Sequence, residues 1–319
     1  MSVIDCERVH ILNNRDHRKG NYVLYWMQQA QRAENNHALT FAIETANSLN
    51  LPVLVYFGLT DTYPEANLRH YSFMLDGLEE VEDNLKNKSI KLIIWFIDPA
   101  EGVINLAQNA SVVVTDAGYL KIQRLWRKQA SESVQCRFYV VESDVIVPIE
   151  SVSDKENYSA GTFRPRINKK LHQFLKKIPE IKPSLSSLDI NIKRIDIKNR
   201  NRVISDLNID KSILPVKGVR GGGNEALKKL KNFINNSLQE YDVMRNHPGL
   251  NYSSGLSPYL HFGQISPLAV ALKIIEYNNT GAESFLEELI VRRELSMNFV
   301  YYNSNYDNIR CLPAWAHET

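Results

Sequence analysis

Three cysteines in 319 residues, Cys6, Cys136 and Cys311, stand too far apart for a C-x-x-C pair. That argues against a disulfide framework and a zinc site, and points to a reducing compartment, the cytoplasm. No apolar run approaches the length of a membrane span, and the stretch from Met1 to Arg8 carries acids and no apolar core of signal-peptide length. No membrane partner is expected. An excess of one charge is also missing: 38 Lys and Arg face 36 Asp and Glu, a formal net charge of +2, so any face for a polyanion must come from local clustering. Glycine is scarce where a dinucleotide would need it. The loop after the first apolar run, Asn13 to Gly20, has one glycine and no G-x-G-x-x-G, which disfavours a standard NAD site. Its Arg15, Arg18 and Lys19 suit either a phosphate contact or a plain exposed loop.

What is present is an ordinary globular composition, 44% hydrophobic and 23% charged, in a chain long enough for two cores. Through about residue 147, short β-branched runs (Val9–Leu12, Val53–Phe57, Leu92–Ile97, Val112–Val114, Phe138–Val141) alternate with longer segments of helical period, notably Tyr22 to Leu49 and Leu68 to Leu85. Continuous apolar runs suit strands buried on both faces of a parallel sheet, and the segments between them suit crossover helices. The pattern predicts a doubly wound α/β domain over residues 1–150. Between 151 and 219 the alternation fades, and residues 181–220 carry nine Lys and Arg against four Asp, which reads as an interdomain linker. From 220 to 319 the period is helical, with Leu227, Leu230, Phe233, Ile234 and Leu238 on one stripe, and an all-helical domain is expected.

Two constellations in the helical part can carry chemistry. Ser257-Pro258 and Ser266-Pro267 each place a hydroxyl at a candidate N-cap with proline in the first turn. The first of them follows Ser253-Ser254-Gly255, offering hydroxyls and N–H groups to an anion, although Ser-Pro helix starts commonly hold no ligand. Glu288 and Arg292 are four apart and would share a helix face, either as an exposed ion pair or at the mouth of an apolar cavity.

The run Ser253 to Gly263 followed by Phe285 to Glu294 resembles the flavin-binding core of DNA photolyases, and the wider chain resembles their class II, which acts on cyclobutane pyrimidine dimers. Five further blocks fit that class in order: Tyr25 to Leu39 in the first crossover helix, Tyr71 to Leu78 in the second, Thr115 to Leu120 after a strand, Thr162 to Ile167 in the linker, and Gly218 to Gly223 before the helical domain. The resemblance implies FAD in the helical domain, with Tyr241, Ser253, Ser254, Gly255, Leu256 and Ser257 at its phosphates and Arg292 beside the flavin. It implies UV-damaged DNA as the partner, Glu288 as the catalytic carboxyl that contacts the damaged bases, and Arg245 near the DNA backbone. It also implies a light-driven electron cycle that opens the cyclobutane ring, and no metal. An antenna chromophore such as a deazaflavin, folate or flavin sits in the α/β domain of some relatives. Such proteins are expected to continue past Thr319 through further helices. Three readings therefore stand side by side: a photolyase, its remaining helices supplied by a second polypeptide or by a longer chain; a truncated homologue without repair activity; and a chromophore-binding or light-sensing module.

Overall fold

The computed structural model describes residues 2–317, so Met1 and the end of the chain at Glu318 and Thr319 lie outside the described residues. Six strands, β1 (Val9–Ile11), β2 (Tyr22–Trp26), β3 (Val53–Leu59), β4 (Lys91–Phe96), β5 (Ala110–Asp116) and β6 (Arg137–Val141), form one sheet in the order β1-β6-β5-β2-β3-β4. All neighbours are parallel except the edge pair β1 and β6. Helices α1 (His37–Ser48), α2 (Leu68–Asn87), α3 (Pro99–Ala107) and α4 (Lys121–Ser133) make the crossovers. Two apolar cores, one on each face of the sheet, bury β2 and β5 completely. The doubly wound α/β expectation is met.

The central strand β2 was misread from the sequence as the start of a crossover helix running from Tyr22 to Leu49. Buried on both faces, Tyr22–Trp26 has no apolar–polar alternation, and its aromatic spacing also fits a helical period. Helix α1 begins only at His37, where the Asn36 side chain accepts the Leu39 N–H at 3.1 Å.

Beyond the sheet the chain forms α5 (Ile149–Val152), α6 (Ala160–Phe174), α7 (Arg200–Asp206), α8 (Gly223–Asn236), α9 (Tyr241–Met244), α10 (Ser257–His261), α11 (Pro267–Ile274) and α12 (Thr280–Leu286), a π-turn (Glu287–Arg292) and α13 (Arg293–Tyr302). Part of the segment expected as linker belongs to the helical core, since α6 supplies Phe163, Ile167 and Phe174 to it. The rest of the segment crosses the outer edge of β4. There the Ile195 N–H donates to the Ile94 carbonyl at 2.9 Å, and the isolated isoleucines Ile190, Ile192, Ile195 and Ile197 pack on the α/β cores.

The two parts meet closely. Gly263 has φ +63°, and a Cβ there would stand 1.8 Å from the Gln29 carbonyl oxygen, so only glycine permits this approach. Buried Arg32 donates to the carbonyls of Gly263 (2.9 Å) and Ser143 (2.6 Å), bridging the halves. Among the described residues no helix is long and apolar enough to cross a membrane.

Candidate functional site

Helix α9 and the π-turn bring three of the sequence-identified residues together. Tyr241 is wedged edge-on against Phe233 of α8 and Phe285 of α12, with ring centroids 5.4 and 5.5 Å away, and this burial raises its phenol above the ordinary value. Arg245, one turn later, lies over the Tyr241 ring at 5.6 Å and donates to Glu288 Oε1 at 2.7 Å. Glu288 holds the Arg245 guanidinium above its usual range. Tyr241, Arg245 and Glu288 therefore form one connected, solvent-accessible cluster.

Arg292 does not pair with Glu288, contrary to the shared helix face expected from their spacing. The turn from Glu287 to Arg292 is π-helical, and its wider period brings residues five apart together, so the Arg292 Nε lies 3.5 Å from Glu287 Oε1. Glu287 also accepts a two-pronged contact from Arg164 of α6, Nε at 3.0 Å and Nη2 at 2.7 Å, which holds its carboxyl below the ordinary range. Arg292 is 55% exposed.

The loop before α10 is tied beside α9, because the Tyr252 hydroxyl donates to Glu240 at 2.9 Å. Gly255 has φ +63° and faces the Lys229 side chain of α8. Leu256 is buried, and its N–H donates to the Ser254 hydroxyl at 3.3 Å. Ser257 is not the N-cap expected from Ser257-Pro258. Leu256 occupies that position in helical conformation, no side chain caps α10, and Ser257 falls in its first turn. The second motif behaves as expected: the Ser266 hydroxyl accepts the Ala269 N–H at 3.3 Å and Pro267 opens α11.

A flavin dinucleotide fits this set by its donors. The exposed hydroxyl of Ser253, the backbone at left-handed Gly255 and the Lys229 ammonium suit a diphosphate, and Arg292 suits a polar ring edge.

A second site was not named from the sequence. A cavity of about 670 Å³ opens beyond the carboxyl ends of β2 and β3, next to the switch point between β2 and β5, and α10 and α13 close it. Trp26, Tyr63, Trp126, Phe262 and Met297 give it flat apolar walls, and Ser257 lies on its rim. Three buried atoms of lining residues have no hydrogen-bond partner: Gln28 Nε2, Gln31 Oε1 and Asp144 Oδ1. The aromatic walls suit a planar ring. The loop after β2 is closed to phosphate, because buried Asp116 accepts the N–H groups of Gln28, Gln29 and Ala30 and the Tyr25 hydroxyl.

The family model described as DNA photolyase matches residues 23–184, half of the chain. The deoxyribodipyrimidine photo-lyase of Methanothermobacter thermautotrophicus is 43% identical over 318 residues, covering 99% of this chain and 70% of that protein. The chain belongs to the DNA photolyase family. Photolyase relatives from Potorous tridactylus (32% identical) and Arabidopsis thaliana (34%) match 93% of the chain, which spans 56% and 62% of their lengths. Among solved structures, an archaeal photolyase from Sulfolobus tokodaii, described with two FAD molecules, superposes with a TM-score of 0.69 at 19% identity over 88% of this chain and 60% of that one. A Synechocystis cryptochrome gives 0.72 at 17% identity over 89% and 62%. Both show the photolyase and cryptochrome fold. The comparisons lend no support to a second polypeptide as partner.

Gln28, Gln31 and Asp144 were missed as site residues. For Gln28 and Gln31 the signal was the glutamine-rich stretch Gln28-Gln29-Ala30-Gln31 soon after an apolar strand, hidden because that strand has a helical period; Asp144 had no such signal.

Proposed function

We propose that this chain acts in light-dependent repair of cyclobutane pyrimidine dimers in DNA, as a deoxyribodipyrimidine photo-lyase of class II. The single observation carrying this reading is the cluster of Tyr241, Arg245 and Glu288 beside the π-turn that bears Arg292. The five sequence blocks support the class. FAD supplies the electron when bound; the chain's own residues hold and orient the partners. Ser253, Ser254, Gly255 and the buried Leu256 shape the phosphate loop, together with Ser257 and Tyr241, and Arg292 stands at the ring. Arg245 steers the DNA backbone and shares Glu288 with it. A damaged base pair flipped toward Glu288 exchanges Arg245 for a base edge as hydrogen-bond partner, and stabilising negative charge on the dimer at that point lowers the barrier to ring opening. We assign the cavity to an antenna chromophore held by its ring. The three unpaired cysteines support the cytoplasm as compartment.

The test is the absorption spectrum of the purified chain, followed by light-dependent repair of an oligonucleotide carrying one thymine dimer. Stoichiometric FAD with photon-dependent repair is the expected result. FAD bound without repair would favour a non-repairing homologue, and chromophore held by the α/β part with no FAD would favour a light-sensing module.

A further inference from the structure

Glu287 serves two arginines from different elements. Arg164 reaches it from α6 and takes both oxygens, Nη2 to Oε1 at 2.7 Å and Nε to Oε2 at 3.0 Å. Arg292, at the far end of the π-turn, brings only its Nε to 3.5 Å from Oε1, the outer limit of an N–H···O bond. A guanidinium fork on a carboxylate is stronger and more directional than a single contact, so Arg164 fixes the plane of the carboxylate and Arg292 takes what is left. The lowered carboxyl of Glu287 agrees, with Arg164 as its largest cause and Arg292 a smaller one. Two guanidinium groups on one carboxylate leave one positive charge over, and Arg292 is the less compensated of the two. Among the described residues its guanidinium makes no other ion pair and stacks on no ring. Both backbones are held: Phe163 and Ile167 on α6 are buried in the helical core, and so are Leu289, Ile290 and Val291 between Glu287 and Arg292. What stays free is which guanidinium the carboxylate holds.

We propose that Arg164 is a positioning residue: by occupying both oxygens of Glu287 it keeps the Arg292 guanidinium available to the polar ring edge of the flavin. Without Arg164, Glu287 is an anion with a single cation neighbour, and Arg292 closes on it with its own fork and is no longer open to a ligand. The exchange is between partly exposed groups, so it shifts a population and changes affinity by a small factor rather than all or none. The inference rests on Arg292 standing beside the flavin, yet the re-pairing of Glu287 can be read with no flavin present.

The first readout is exchange of the Arg292 Nε proton with water, followed by NMR in the full chain without FAD. Arg164→Met keeps the apolar stem and removes the fork, and should slow that exchange about threefold. Adding Glu287→Gln to Arg164→Met removes the carboxylate that captures Arg292 and should return the exchange to near the wild-type rate. The second readout is an FAD titration. Arg164→Met should weaken FAD about threefold, the double variant should recover, and Arg164→Met should add nothing once Arg292→Gln is present. Damage to packing would not be repaired by a second substitution at the same contact. An Arg292 exchange rate that Arg164→Met leaves unchanged would overturn the proposal. So would an FAD affinity that Arg164→Met does not lower, that the double variant does not regain, or that falls equally in the Arg292→Gln background. If Arg164→Met unfolds, Arg164→Lys decides, since it keeps the charge without the fork and should show the same changes at smaller size. If the wild type takes up no FAD, the flavin reading falls, and the exchange comparison alone judges whether Arg164 keeps Arg292 free.

Discussion

Glu287 and Glu288 are neighbours with opposite prospects. Arg164 grips Glu287 with two donors and Arg292 adds a third cation contact, so that carboxylate is committed to holding the turn. Glu288 has one partner, Arg245, and is 41% exposed, so a substrate edge can take its place. Glu288→Ala should therefore lower the repair yield about tenfold or more with FAD still bound. Repair per absorbed photon and flavin stoichiometry, measured on the same samples, check this, and unchanged repair would remove Glu288 from the mechanism. Glu288 and Arg245 could be singled out because their types and places match a family pattern. Their direct pairing, between residues 43 apart, had no sequence signal, and the separation of Glu288 from Arg292 was hidden because a four-residue spacing assumes α-helical winding and only the backbone shows that the turn is wider.

Two serine-proline motifs of identical appearance behave differently. Ser266 caps α11, and Ser266→Ala should cost about 1 kcal/mol in urea unfolding. Ser257 caps nothing, so Ser257→Ala should leave stability within about 0.5 kcal/mol of wild type. A comparable loss in both variants would contradict the observed cap geometry. The cap at Ser257 was unreadable because the preceding loop already turns helically at Leu256. The strand β2 was unreadable for a different reason: it is mostly aromatic with Val23 its one β-branched residue, so its spacing also fits a helix, whereas β5, buried as completely, and β3, β4 and β6 were legible from their apolar runs. The isoleucines of residues 181–220 looked scattered because the surface that buries them belongs to the other end of the chain's first domain.

At the scale of the molecule, the halves are joined by buried polar groups and close backbone contact. Gly263→Ala combines a left-handed backbone with a clash against Gln29, and should cost about 2–4 kcal/mol and loosen the junction, seen as faster exchange at Gln29 and Ala30; wild-type stability in that variant would refute the close approach. Glu294 gives a pH signature. Burial pushes its carboxyl up to about 7, against the pull of the Ile146 and Val147 N–H groups, Arg293 and Arg8. The fold thus keeps a proton that the unfolded chain releases near 4.5, so this contribution is complete below about 4.5 and is lost as pH rises through about 7. Between pH 5 and 8 the wild type should lose about 2–3 kcal/mol more than Glu294→Gln; equal losses in urea unfolding would count against it. The carboxylate of Asp116 has the most lasting consequence. As an anion covalently attached beside the loop it fills, it has an effective concentration that no metabolite can match and that never falls. A free nucleotide phosphate cannot outcompete it there, so the turn after β2, where such sheets commonly seat a phosphate, is permanently occupied by the chain itself.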